Sequence, residues 1–223
     1  MTPLLLVAHG SRSGDASRDL ANAVQTRSGL DVRLAYADVR GPTIASVAAD
    51  LPHAVVVPAF LAAGYHVRRD LPAQLAAAGA SSFPVTPAIG PDPALAAAAL
   101  DRLRQAGWRH GDAVVLAAAG SADAVALGQV RQAARTLQVA TGRRVRVGFA
   151  ASAAPRVDTL VAGLRSAGET RIAVASWLLA PGAFADRVAA CGADVVAAPL
   201  GTHPAVVDTI LARYEDALAQ SAA

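Results

Sequence analysis

Short apolar runs alternate with amphipathic segments along the whole chain. Leu4-Leu5-Leu6-Val7, Ala54-Val55-Val56-Val57, Ala113-Val114-Val115-Leu116 and Ile172-Ala173-Val174-Ala175 carry no polar position at all. Strands buried on both faces of a parallel sheet read this way, whereas strands with one wet face alternate. The pattern predicts a first strand over 3–8 and a helix over 15–27, with Ala16, Leu20, Ala23 and Val24 on its inner face. Ser28-Gly29 ends that helix. A second strand is expected over 31–37, a short helix over 43–50 opened by Pro42, and a third strand over 54–57. A helix over 69–78, a short fourth strand over 83–86 and a long helix over 93–106 complete the series.

The pattern then recurs. Residues 113–121 repeat the first strand and its loop, 125–139 the first helix, and 144–149 the second strand. Pro155 stands where Pro42 stood, 172–182 repeat the third strand and its loop, and 197–204 repeat 86–93. A last helix is expected over 205–218. The chain therefore reads as two βαβαβαβα halves, 1–110 and 111–223, joined through 107–112. Strands alternating with helices imply an α/β fold of two doubly wound parallel-sheet domains. Ligands of such sheets bind beyond the carboxyl ends of the strands, and two halves imply a ligand cleft between them.

The halves agree in scaffold and differ in chemistry. His9 follows the first strand in His9-Gly10-Ser11-Arg12. His66 follows the third in Gly64-Tyr65-His66-Val67-Arg68-Arg69-Asp70-Leu71-Pro72. Their repeat counterparts are Ala119 and Phe184, while Gly10 matches Gly120 and Gly64 matches Gly182. Two imidazoles at neighbouring strand ends could bind a divalent metal, or one could accept a proton as a general base. His53 and His110 precede strands in turns and read as solvated; His203 reads as a cap or surface residue. Arg12, Arg68 and Arg69 flank the histidines, either as solvated charges or as carboxylate ligands at a cleft mouth. Ser11 and Ser121 read as helix caps, with donation to a ligand anion as the other use. No G-x-S-x-G elbow surrounds Ser11, and Gly10-Ser11-Arg12-Ser13-Gly14 is neither a dinucleotide fingerprint nor a P-loop.

Composition narrows the classes. Of 223 residues 54% are apolar but only 4% aromatic, so the core must be built from Ala, Val and Leu. The net charge is +3, and every basic residue is Arg. These arginines are scattered, which argues against nucleic acid as a partner but suits a carboxylate-rich small molecule. Cys191 alone permits neither an internal disulfide nor a zinc site built on several thiolates, and it fits a reducing cytoplasm. The apolar start is too short for a signal sequence. The longest uncharged stretch, 71–91, is interrupted by Pro and Gly, so no membrane span is expected.

In combination, the His9-Gly10-Ser11-Arg12 loop, the segment from Gly64 to Pro72 and Ile89-Gly90-Pro91-Asp92-Pro93 resemble the sirohydrochlorin chelatases. These are the ATP-independent cobalt and iron chelatases of cobalamin and siroheme synthesis. The resemblance covers nearly the whole chain, including the degenerate second half. It implies a class II chelatase fold, with two α/β domains related by a pseudo-twofold and a tetrapyrrole held between them. The site histidines, catalytic and metal-binding, would be His9 and His66. Ser11, Arg12, Gly64, Tyr65, Arg68 and Arg69 would contact the substrate. That substrate is a planar macrocycle with eight carboxylates, and the metal inserted would be Fe²⁺ or Co²⁺, with Ni²⁺ open and no other cofactor. Two halves in one chain would allow a monomer. The chain departs from the family at one place. Members often carry a glutamate just before the proline after the second strand, where this chain has Gly41. Its only glutamates are Glu169 and Glu215, and Asp38 is the nearby carboxylate that could substitute. A non-catalytic tetrapyrrole or metal binding protein of the same fold is the alternative.

Overall fold

The computed structural model describes residues 1–10, 16–37 and 41–221. These form two compact α/β units: Met1–Gly90 with Thr202–Ala223, and Pro91–Gly201.

The first unit is built on a parallel sheet of three strands, β1 (Leu4–Ala8), β2 (Val32–Tyr36) and β3 (Val55–Pro58), in the order β2-β1-β3. Leu4 pairs with Val32 on one side and Val55 on the other, so β1 is central. Every β1 residue is buried, as its unbroken apolar run requires. Successive side chains point to opposite faces. Leu5 and Val7 pack with Ile44, Val56, Leu71 and Leu75 in one core. These include residues of α2 (Ile44–Ala49) and α3 (Leu71–Ala77). Against the sheet's other strands lie α1 (Ala16–Ser28), touching β2, and the C-terminal helix, touching β3 and α1.

Three expectations for this unit change. Residues 83–86 form no strand: Val85 alone bridges Val56, because Pro84 on one side and Pro58, opposite Thr86, on the other have no N–H with which to extend the ladder. Pro42 lies outside α2. Thr43 is the extended cap whose hydroxyl accepts from the Ser46 N–H at 3.1 Å, and the Pro42 carbonyl accepts from Tyr36 N–H. The helix expected over 69–78 starts earlier, with a π-turn at His66–Asp70 in which Leu71 N–H reaches back to His66 O. Pro72 follows at once, with no N–H to offer an α-turn of its own.

The second unit repeats the plan with four parallel strands, β4 (Ala113–Ala118), β5 (Val145–Phe149), β6 (Ile172–Trp177) and β7 (Val195–Val196), ordered β5-β4-β6-β7. Val115, Ala117 and Val174 pack against α6 (Val157–Ser166) and α7 (Ala183–Ala189). The helix α4 (Pro93–Gln105) packs on α5 (Ala124–Thr141) and on β6. Asp123, not Ser121, caps α5, accepting from Val125 N–H at 2.8 Å; Ser121 Oγ accepts from Asp123 N–H instead.

The repeat halves 1–110 and 111–223 and the packed units are therefore different partitions. The last helix of each half is built into the other unit. Arg102 on α4 donates to Leu200 O at 3.1 Å within the second unit. Tyr214 on α8 (Pro204–Ser221) donates to Thr2 O at 2.6 Å within the first. No helix among the described residues is long and apolar enough to cross a membrane.

Candidate functional site

At the carboxyl end of the first sheet three chain segments emerge side by side. Val7 is paired with Pro58, Ala37 N–H donates to Ala8 O, and Ala59 N–H donates to Val7 O. His9 is the first residue beyond β1 and is exposed. Gly10 follows with φ of 86°, a left-handed turn suited to a residue without a Cβ. The loop after β3 returns His66 to the same place. The two imidazole centroids lie 4.7 Å apart with their planes at 61°. The pairing expected from the sequence is thus present in the structure.

His66 is half-buried, and its Nδ1 lies 2.6 Å from Asp70 Oδ2, four residues on. That length is typical of a charge-assisted bond. The Phe60 ring stands 6.2 Å from His9, and the Tyr65 ring 6.2 Å from His66 at 83°. Tyr65 is exposed, an aromatic face available to a ligand. Gly64 starts the turn, its carbonyl accepting from Arg68 N–H at 3.1 Å. Arg68 and Arg69 are exposed on the π-turn beside His66. Ser11, Arg12 and Asp38 lie outside the described residues. Gly41 is exposed, and a Cβ built on it meets nothing within 4 Å. Among the described residues no three His, Cys, Asp or Glu side chains gather to hold a metal.

The remaining histidines have other uses. His203 Nδ1 accepts from Ala205 N–H at 3.2 Å, a cap on α8. His53 stacks edge-on against Phe83, and His110 against Trp108. Sequence reasoning assigned no role to Asp70 or to Phe60. The signal for Asp70 was present as the spacing His-x-x-x-Asp, which places two side chains on one helical face. Phe60 carried none beyond its place in the loop.

The second unit gives the control. Leu4 and Val114 occupy the same register position in their sheets, as do Val56 and Val174. Counting from these anchors puts Ala119 in the place of His9 and Phe184 in the place of His66. Gly120, with φ of 101°, stands in the place of Gly10; a Cβ there would lie 1.8 Å from Ala151 O, so that backbone excludes any other residue. Gly182 also needs its glycine, at φ of 139°, but Gly64 is not in that region.

The sequence profile of the CbiX family matches residues 3–106 and again 113–217. The chain belongs to the CbiX family. Both copies of the repeat match, so membership rests on nearly the whole chain. Among solved structures, SirB from Bacillus subtilis with Fe³⁺ superposes with a TM-score of 0.81 at 22% identity, covering 99% of this chain and 97% of that one. SirB from Bacillus subtilis subspecies spizizenii, a sirohydrochlorin chelatase in complex with cobalt, gives 0.75 at 23% identity over 97% and 95%. CbiX, the terminal enzyme for siroheme biosynthesis in denitrifying bacteria, gives 0.72 at 25% identity over 96% and 98%. The class II chelatase fold of this CbiX-family chain follows from these likenesses. No curated protein sequence matches it significantly.

Proposed function

We propose that this chain inserts Fe²⁺ or Co²⁺ into sirohydrochlorin without ATP, giving siroheme or cobalt-sirohydrochlorin. The observation that carries the reading is the pair His9 and His66, 4.7 Å apart at the ends of β1 and β3. Its family membership and its likeness to a siroheme-forming enzyme support the substrate.

Insertion replaces two pyrrole N–H bonds by bonds from the ring nitrogens to the metal, and two protons must leave. Two neutral imidazoles suit both tasks. They hold a borderline ion such as Fe²⁺ or Co²⁺ with coordination positions left open for the ring. A closed four-ligand site would retain the metal instead. As the ion passes to the ring, each vacated imidazole lone pair can take a pyrrole proton. Arg68 and Arg69, and Arg12 on the other loop, supply guanidinium forks for the macrocycle's carboxylates. Tyr65 and Phe60 offer ring faces to its plane. We place the protein in the cytoplasm, with both halves in one chain so that a monomer can suffice, and with no cofactor beyond the metal it transfers.

The test is absorbance of sirohydrochlorin with Fe²⁺, Co²⁺ or Ni²⁺, with and without protein. Acceleration over the uncatalysed rate supports the reading, and its absence with all three metals overturns it. One observation favours a second reading, a tetrapyrrole or metal binding protein without turnover. No third metal-binding side chain joins the histidines among the described residues. That reading predicts stoichiometric binding with no rate enhancement in the same assay.

A further inference from the structure

The helix carrying His66 differs from its counterpart by one residue, and that residue has a consequence for the imidazole. Both helices dock through a large apolar side chain, Leu71 in the first unit and Val188 in the second, each almost wholly buried. Leu71 comes five residues after His66; Val188 comes four residues after Phe184. In a plain α-helix the position four residues on is therefore the one pressed into the core. The π-turn at His66–Asp70 holds one residue more than an α-turn and shifts the docking position to Leu71. The position four residues from His66 is thereby released from the core, and Asp70 occupies it with its side chain 27% exposed and bonded to Nδ1.

An ionised carboxylate only accepts, so the proton of the 2.6 Å bond belongs to Nδ1. A neutral imidazole has one N–H, and its lone pair is then on Nε2. An unconstrained neutral histidine favours the opposite tautomer, with the proton on Nε2. We infer that Asp70 is a positioning residue: through a one-residue π-insertion it holds His66 as the Nδ1–H tautomer, so that Nε2 carries the lone pair offered to an incoming metal. This rests on the proposed metal chemistry for its purpose, but its geometry does not depend on turnover. Partners of this kind fix ring orientation and raise ligand basicity, and their loss weakens metal binding about 10–100-fold.

Two measurements test it. Two-bond ¹H–¹⁵N correlation spectra of the metal-free protein, at about pH 8 where imidazole is neutral, report the tautomer directly. His66, assigned by its loss in His66→Ala, is expected as Nδ1–H in the wild type and as largely Nε2–H in Asp70→Ala. Asp70→Asn, whose amide oxygen still accepts, should keep Nδ1–H. Titration with Co²⁺ alone, followed by its visible absorption, should show binding weakened about 10–100-fold in Asp70→Ala and only a few-fold in Asp70→Asn. An Nε2–H signal in the wild type overturns the inference without reference to any variant. Unchanged Co²⁺ affinity in a folded Asp70→Ala protein overturns it as well. The chelatase reading fails separately: wild-type protein with Asp70-dependent Co²⁺ binding but no insertion would sink the enzyme and leave Asp70 in place.

Discussion

The first and second units share strands, registers and the left-handed glycine after the central strand, yet they part at the carboxyl ends. His9 is replaced by Ala119 and His66 by Phe184, and the π-turn by an ordinary helix start. Gly10 and Gly120 keep the same backbone, the latter against a carbonyl that a Cβ would overlap. The fold thus closes and packs without any histidine at those two positions. Whatever keeps an exposed His9 and a half-buried His66 together in the first unit is therefore not a demand of the scaffold.

The largest expected effect tests that division directly. His9→Ala and His66→Ala should each lower metal insertion by about 100-fold or more, the usual contribution of a positioned acid–base group, with thermal unfolding little changed. Ala occupies the place of His9 in the second unit without harm to its strand, which is why folding should survive. Full insertion activity in both variants would break the comparison. The reciprocal pair, Ala119→His with Phe184→His, should create no comparable Co²⁺ site, because α7 has neither the extra residue nor a carboxylate at the released position. A second tightly bound Co²⁺ per chain, beyond the one held by His9 and His66 and counted by visible absorption, would show that two histidines suffice.

Much of this was legible in the sequence for a definite reason. A parallel strand buried on both faces leaves one reading of Leu4-Leu5-Leu6-Val7, and the alternation with helices then fixes which ends face the ligand. His9 and His66 could be paired because right-handed parallel topology brings the ends of the first and third strands together. What stayed hidden was of another kind. Apolar periodicity says that a helix buries a face but not which sheet covers it, so chain order alone does not show that α4 packs in the second unit and α8 in the first. The short apolar stretch around Val85 resembled a strand, and only Pro84 and Pro58 limited it to one bridge. The π-turn was hidden because its signature is a shift of one residue in the docking position. The His-x-x-x-Asp spacing of Asp70 was visible, but its value depends on that shift.

A buried charge offers the next test. At the start of the second sheet Asp112 is 2% exposed, takes a bond from Arg109 N–H at 2.8 Å and lies 3.0 Å from Arg171 Nε. Arg171 in turn donates to Gly107 O. Counting from the strand anchors, the first unit has Thr2 there, closed by the neutral Tyr214 bond to its carbonyl. Asp112→Ala should destabilise by about 3 kcal/mol, because it strands the Arg171 Nε buried behind it. Tyr214→Phe should cost only about 1 kcal/mol. Denaturant unfolding of both variants checks the order, and equal losses would remove the distinction. Gly41→Glu sharpens the site itself. The space around its Cβ is open, so the variant should fold and raise Co²⁺ affinity about tenfold by adding a carboxylate ligand. Unaltered affinity would place residue 41 out of reach of the histidines.

The smallest effect expected is at Asp194, and its sign is set by pH. Counting from the Val196–Val174 and Val85–Val56 pairings, Asp194 stands where the first unit has the buried Phe83. Its carboxylate accepts from Ile172 N–H and from Arg165, both at 2.8 Å. The Ile172 N–H, and after it the Arg165 hydrogen bond, hold its pKa below the ordinary carboxylate value. A carboxylate depressed in the folded state stabilises most above the unfolded value, about 4, and that contribution disappears as pH falls through the folded value. Because the pair is over a third exposed, screening keeps it small. Asp194→Asn should therefore lower Tm by about 2 °C at neutral pH, with wild type and variant converging in acid. A difference that persists below the folded pKa would mean that shape at this corner, as with Phe83, matters more than charge.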